Sequence, residues 1–101
     1  MKEIIKELND LKILQTSGDF LEDLPEDIYE KYFKDLVDEN LSVDKHRWYE
    51  TSISVYKISE GFIGVQSITD TFSEQSEISD MFHHLRFFEM KEVTKITYEK
   101  V

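Results

Sequence analysis

Three residue types in this 101-residue chain could support chemistry: histidines, serines and carboxylates. His83 and His84 are adjacent, and adjacent side chains on a strand point to opposite faces, so the two do not readily share one metal ion. Asp80 could approach His83 if the turn between them closes, and His46 could join across a sheet. No further ligand stands at a recognised metal-site spacing, so ordinary surface histidines are the expectation and no metal or cofactor is assigned. Ser52, Ser54, Ser73, Ser76 and Ser79 lie outside any Gly-x-Ser-x-Gly elbow, and nothing nominates a base to activate them. Gly61 and Gly64 do not lead from a strand into a helix, so they make no phosphate loop. Residues 70–80 lack the Asp/Asn ladder and central glycine of a calcium loop. The expectation is a protein that is not an enzyme.

What remains is charge. Twelve Lys and Arg face 22 Asp and Glu, a net charge of -10. Such a chain is repelled by DNA, RNA and anionic lipid, which excludes direct nucleic-acid binding and membrane docking. The excess is concentrated. Between Asp19 and Asp44 stand ten acidic residues and two lysines, so this segment carries -8 of the total. Fields add over a single-sign face. Two readings follow: a solvated surface that maintains solubility, or a surface that competes with nucleic acid for a basic groove on another protein.

The elements that must position these charges follow from periodicity. Ile4, Ile5, Leu8 and Leu11 recur at helical steps and predict an amphipathic helix from Lys2 to Leu14, with Gly18 as its left-handed exit. Pro25, with Asp23 as cap, starts a second helix expected to reach about Asn40. Its apolar stripe is Ile28, Tyr29, Tyr32, Phe33, Leu36 and Val37, and its acidic face is Glu26, Asp27, Glu30, Asp35, Asp38 and Glu39. Residues 46–69 read as an antiparallel hairpin broken at Ser59-Glu60-Gly61, with Tyr49, Thr51, Ile53 and Val55 on one face. A polar connection with a short helical turn spans 70–80. Met81 to Val93 returns to strand character, with Leu85 and Phe87 on one face and Arg86, Phe88 and Met90 on the other. Residues 94–100 form a further strand or a bent continuation.

The fold class expected is α+β: one domain over 1–101, helical and acidic over 1–45, with the two N-terminal helices packed on a three- to four-stranded antiparallel meander over 46–101. The lack of cysteine suits a reducing cytoplasm. No signal peptide or membrane-spanning stretch is apparent. Trp48 and Tyr56, beside the acidic helix, are candidate aromatic anchors for a protein partner.

Arg47-Trp48-Tyr49, Val55-Tyr56-Lys57, Gly61-Phe62-Ile63-Gly64-Val65, Ser73-Glu74, Phe88-Glu89-Met90 and Thr97-Tyr98 together resemble a family of small accessory proteins of bacteriophages and mobile elements. The likeness covers about 47–98, and the family includes anti-CRISPR proteins that act on Cas9. The resemblance implies a phage-borne, cytoplasmic, non-enzymatic binder. The combined expectation is an inhibitor whose acidic helix (Glu26, Asp27, Glu30, Asp35, Asp38 and Glu39) stands in for phosphates in a Cas9-like, nucleic-acid-handling host protein, with Trp48 and Tyr56 as anchors. The alternative is a non-catalytic accessory protein, monomer or homodimer, that self-associates through its sheet edge.

Overall fold

The computed structural model describes residues 1–72, 77–93 and 97–101, with the backbone alone at Asn40, Val93 and Thr97. Ser73, Glu74 and Ser76, and the start of the last expected strand at 94–96, lie outside the described residues. The order is α1 (Lys2–Asp10), a 3₁₀ turn (Phe20–Asp23), α2 (Glu26–Tyr32), β1 (Leu36–Lys45), β2 (Tyr49–Ile58), β3 (Gly61–Thr71), a second 3₁₀ turn (Ile78–Met81), β4 (Arg86–Val93) and β5 (Thr97–Lys100). The strands form one antiparallel sheet in sequence order. The α+β class holds. The sheet has five strands, because the second half of the expected acidic helix is β1.

The hairpin at the centre forms as its alternation requires. Tyr56 pairs with Ile63 and Ile58 with Gly61 across a turn at Ser59-Glu60. Gly61 adopts φ 143°, a backbone conformation that L side chains rarely take. The hairpin is buried on both faces. Tyr56, Ile63 and Val65, with Leu85 and Phe87, meet Leu8, Ile28, Tyr32 and Phe33 from the helical layer. Ile53, Val55 and Met90 form a second core under Leu41, Phe62, Phe88 and Tyr98. Among the described residues no helix covers that side: the outer strands contribute Leu41 from β1 and Tyr98 from β5, beside Phe62 of β3 and Phe88 of β4. Gly64 permits this packing, since a Cβ there would stand 2.6 Å from Met90 Sδ.

Both expected helices are shorter than their stripes suggest. In α1, Ile4, Ile5 and Leu8 pack on the core, but Leu11 is exposed. Lys12 at φ 49°, not Gly18, takes the left-handed exit. The chain then runs extended, and residues 13–15 pair with 83–85 (Leu85 N–H to Ile13 C=O, 2.8 Å; Gln15 N–H to His83 C=O, 2.9 Å). Asp23 does not cap α2. Its carboxylate accepts from the Thr16 N–H and hydroxyl, tying the 3₁₀ turn to the preceding loop. Residue Pro25 stands at the N-cap, and α2 closes at Phe33 with φ -120° and ψ 35°. Leu36 and Val37, expected in the apolar stripe, are exposed strand residues.

Two side-chain amides complete the sheet where strands run short. β4 pairs with β3 only as far as Gln66, so the outward backbone groups of Ile68 have no strand neighbour. Gln15, 1% exposed, supplies one: Ile68 N–H donates to Gln15 Oε1 at 2.7 Å, and Gln15 Nε2 donates to Ile68 C=O at 3.0 Å. Asn9 does the same for Phe87, beyond the reach of β5, with both bonds at 2.9 Å. Buried backbone groups are nearly always paired, and here α1 and its exit strap satisfy them.

Candidate functional site

The expected acidic rod does not exist, because α2 ends at Tyr32. Glu26 and Asp27 occupy its first turn, exposed and next to the positive end of the helix. Glu30 is paired with Lys34 at 3.0 Å. Asp35 lines a shallow cleft among Lys31, Lys34 and Lys57, so its charge is offset locally. Asp38 and Glu39 are neighbours on β1, and the pleat sends them apart. Asp38 pairs across from Val55 on the second-core side, close enough to Tyr98 to disfavour ionisation of that phenol, behind the effects of desolvation and Glu92. Glu39 faces the helical layer. Trp48 is exposed at the β1–β2 tip under the Arg47 guanidinium, 4.8 Å from its ring centre. Eight residues of strand, on the order of 26 Å, separate it from Tyr56. The two aromatics do not form one anchor.

Two of the expected residues do converge. Glu39 and Tyr56 line a cleft of about 280 Å³ between the first 3₁₀ turn and the sheet. Gly18 and Asp19 form one wall with Phe20 and Leu21, Leu36 lies beside Glu39 on β1, and Ser54, Ser67 and Thr69 supply hydroxyls from β2 and β3. Tyr56 is held by edge-to-face contacts with Phe20 (6.4 Å) and Phe33 (5.1 Å). Its hydroxyl is pushed up to about 12, by burial first and then by the Asp19 and Glu39 carboxylates. At neutral pH the phenol is therefore a protonated donor and acceptor, never a phenolate. Asp19 is oriented by accepting the Leu21 N–H at 3.2 Å. Among the described residues no Lys, Arg or His lines the cleft. Its chemistry is that of an acceptor-rich recess, suited to a cationic guest.

Asp19, Ser67 and Thr69 were not singled out by sequence, and Ser54 was weighed only as a nucleophile. A signal for the serines existed: Ser52 and Ser54 share a face with Tyr56, and small residues on an inward strand face leave a recess. Asp19 reads only as the first residue of the acidic segment. Among the described residues no group of His, Cys, Asp and Glu could hold a metal ion, and no helix is long and apolar enough to cross a membrane.

At the other end of β2, His46 stacks on Tyr49 with ring centres 4.5 Å apart, and Tyr49 lies 6.3 Å from His83. His83 Nε2 is buried and unpartnered among the described residues. Burial pushes the His83 imidazole down; the Gln66 carbonyl opposes this, while Arg86, His46 and His84 add to it. The unfolded chain thus takes up this proton near the ordinary value of about 6.5, and the folded chain only at lower pH. In that window the unfolded state binds more protons, so stability is complete above it and is lost as pH falls. Urea midpoints at pH 7.5 and 5.5 are expected to fall more for the wild type than for His83→Gln. Equal losses would remove His83 as the cause.

Compared with known protein families, characterised proteins and solved structures, the chain shows no significant match to any of them.

Proposed function

We propose that the protein is a non-catalytic, inhibitor-type binding protein. Its partner is a basic, nucleic-acid-handling host protein, a Cas9-like effector in the cytoplasm of a cell infected by a phage or carrying a mobile element. It acts by occupying cationic surface that nucleic acid would otherwise use. The observation that supports this reading is the acceptor-rich cleft of Asp19, Glu39 and Tyr56, set in the segment that holds -8 of the -10 net charge. A cationic side chain entering the cleft meets two carboxylates and no competing cation, and the surrounding negative field favours encounter with a basic surface.

Self-association through the sheet edge draws less support. Edge strand β1 is interrupted by three register shifts, and β5 is four residues long with Glu99 and Lys100 on it. Bulges, shortness and charge all resist strand-to-strand pairing.

The test is a binding titration against a purified Cas9-type effector at a series of salt concentrations. Affinity is expected to fall as salt rises. Asp19→Asn with Glu39→Gln together are expected to weaken it by at least about tenfold, or about 1.4 kcal/mol. Affinity that stays flat with salt and survives both substitutions would sink the reading. A dimer that persists on dilution, with no affinity for the effector, would favour self-association.

A further inference from the structure

We propose that the recess between α1 and the β4–β5 end of the sheet binds a single-chain amphipathic carboxylate, a free fatty acid of about ten carbons. It shares no lining residue with the cleft of Asp19, Glu39 and Tyr56, so it goes beyond the partner-binding reading and is tested separately from it.

The recess is preformed. Ile5 comes from the first turns of α1, and Phe87 and Phe88 come from β4; together they line it with apolar surface. Asn9 joins α1 to β4 through both backbone groups of Phe87, each bond at 2.9 Å. Val101 N–H donates to Glu89 C=O at 3.0 Å and holds the chain after β5 against β4. The two walls are therefore fixed before a guest arrives, which lowers the ordering cost of binding. At about 520 Å³ the recess falls within the ~300–1,000 Å³ of small-molecule sites.

Charge complementarity names the guest. Lys2, Lys6 and Lys100 line the recess with one carboxylate, Glu89, a local net charge of +2 on a chain of net charge -10. Among the described residues none of these three lysines forms an ion pair, whereas Lys34 and Lys91 both do. Lys2 and Lys6 stand one turn apart at the end of α1 where the dipole favours anions, so their pairing and their position both disfavour the free helix. Lys100 completes the set from the sheet, its Nζ 4.0 Å from the centre of the Phe88 ring. A bound anion relieves this gathered positive charge through charge-assisted bonds from ammonium groups on both walls. Glu89 beside them opposes a second negative charge, which favours a monoanionic carboxylate over a phosphate dianion. The apolar lining adds the requirement for a tail.

The experiment titrates the full chain, isotopically labelled, with decanoate below its micelle concentration, and separately with decan-1-ol and with acetate at matched ionic strength. Saturable amide shifts are expected with decanoate at residues 2–6, 87–89 and 100, at an affinity at least about tenfold above either control. Octanoate is expected to bind about fivefold more weakly than decanoate. Lys6→Gln with Lys100→Gln leaves the buried face of α1 untouched, and together they are expected to weaken decanoate binding about tenfold with the fold unchanged. Equal affinity for decan-1-ol would overturn the carboxylate assignment, and equal affinity for acetate would remove the tail from it. Tighter binding of decyl phosphate would refute the choice of a monoanionic head. Decanoate shifts located elsewhere, or none, would overturn the recess as a site.

Discussion

Gln15→Met is expected to lower the unfolding free energy by about 2–5 kcal/mol, although methionine matches the length and apolar character of the stem. Gln15 is 1% exposed, and its amide holds three backbone groups: Ile68 N–H at 2.7 Å, Ile68 C=O at 3.0 Å and Ser17 C=O at 2.8 Å. The thioether can replace none of these bonds well. Ile68 itself is 0% exposed, so water cannot easily restore its partners. Leaving a buried donor or acceptor unmade costs ~1–3 kcal/mol each, and a domain of this size has only ~5–15 kcal/mol in total. Urea unfolding checks the figure. A change within about 0.5 kcal/mol of wild type would mean that Ile68 finds other partners and that Gln15 is a bystander.

Phe33→Ala carries an effect of similar or greater size, about 3–5 kcal/mol. The ring is 1% exposed and sits between layers, 5.1 Å from the Tyr56 ring and 5.7 Å from Phe87. Its loss leaves a cavity where α2 meets the sheet and frees Tyr56 from one of its two edge-to-face neighbours, so the floor of the cleft loosens as well. The melting temperature is expected to drop by at least about 12 °C. Leu36→Ala is the informative comparison. Had the second helix continued to Asn40, Phe33 and Leu36 would share one buried stripe and cost similar amounts. With Leu36 48% exposed on β1, its truncation is expected to cost no more than about 0.5 kcal/mol. Comparable losses for the two variants would speak for the continuous helix and against β1.

That comparison marks the boundary between what local pattern carries and what it does not. The hairpin, expected over 46–69 and found over 49–71, was legible because alternation and the Ser59-Glu60-Gly61 break are properties of neighbouring residues. So were Ile4, Ile5 and Leu8 in the stripe of α1, though not Leu11, and the alternation into β4, where Leu85 and Phe87 join the helical-side core and Phe88 and Met90 the other. Residues 36–45 were not. Leu36 and Val37 extend a helical repeat from Ile28, but Leu41, Ser42 and Val43 interleaved with Asp38 and Asp44 make an equally acceptable strand. Pairing with β2 decides: the Lys57 N–H donates to Asp35 C=O at 2.9 Å as the ladder begins, and Leu41 closes the second core.

Charge, its concentration between Asp19 and Asp44, and the elements whose periodicity is unambiguous within a dozen residues are written locally in the chain. Which carboxylates share a cleft was settled by packing. A free edge on β2 recruits the chain after Phe33, and the change from a 3.6-residue to a 2-residue period sends Asp38 and Glu39 to opposite faces. It also places Asp19, twenty residues earlier, beside Glu39 and Tyr56. Pairing between distant segments obeys the backbone's need for hydrogen-bond partners, and no local window of sequence contains that information.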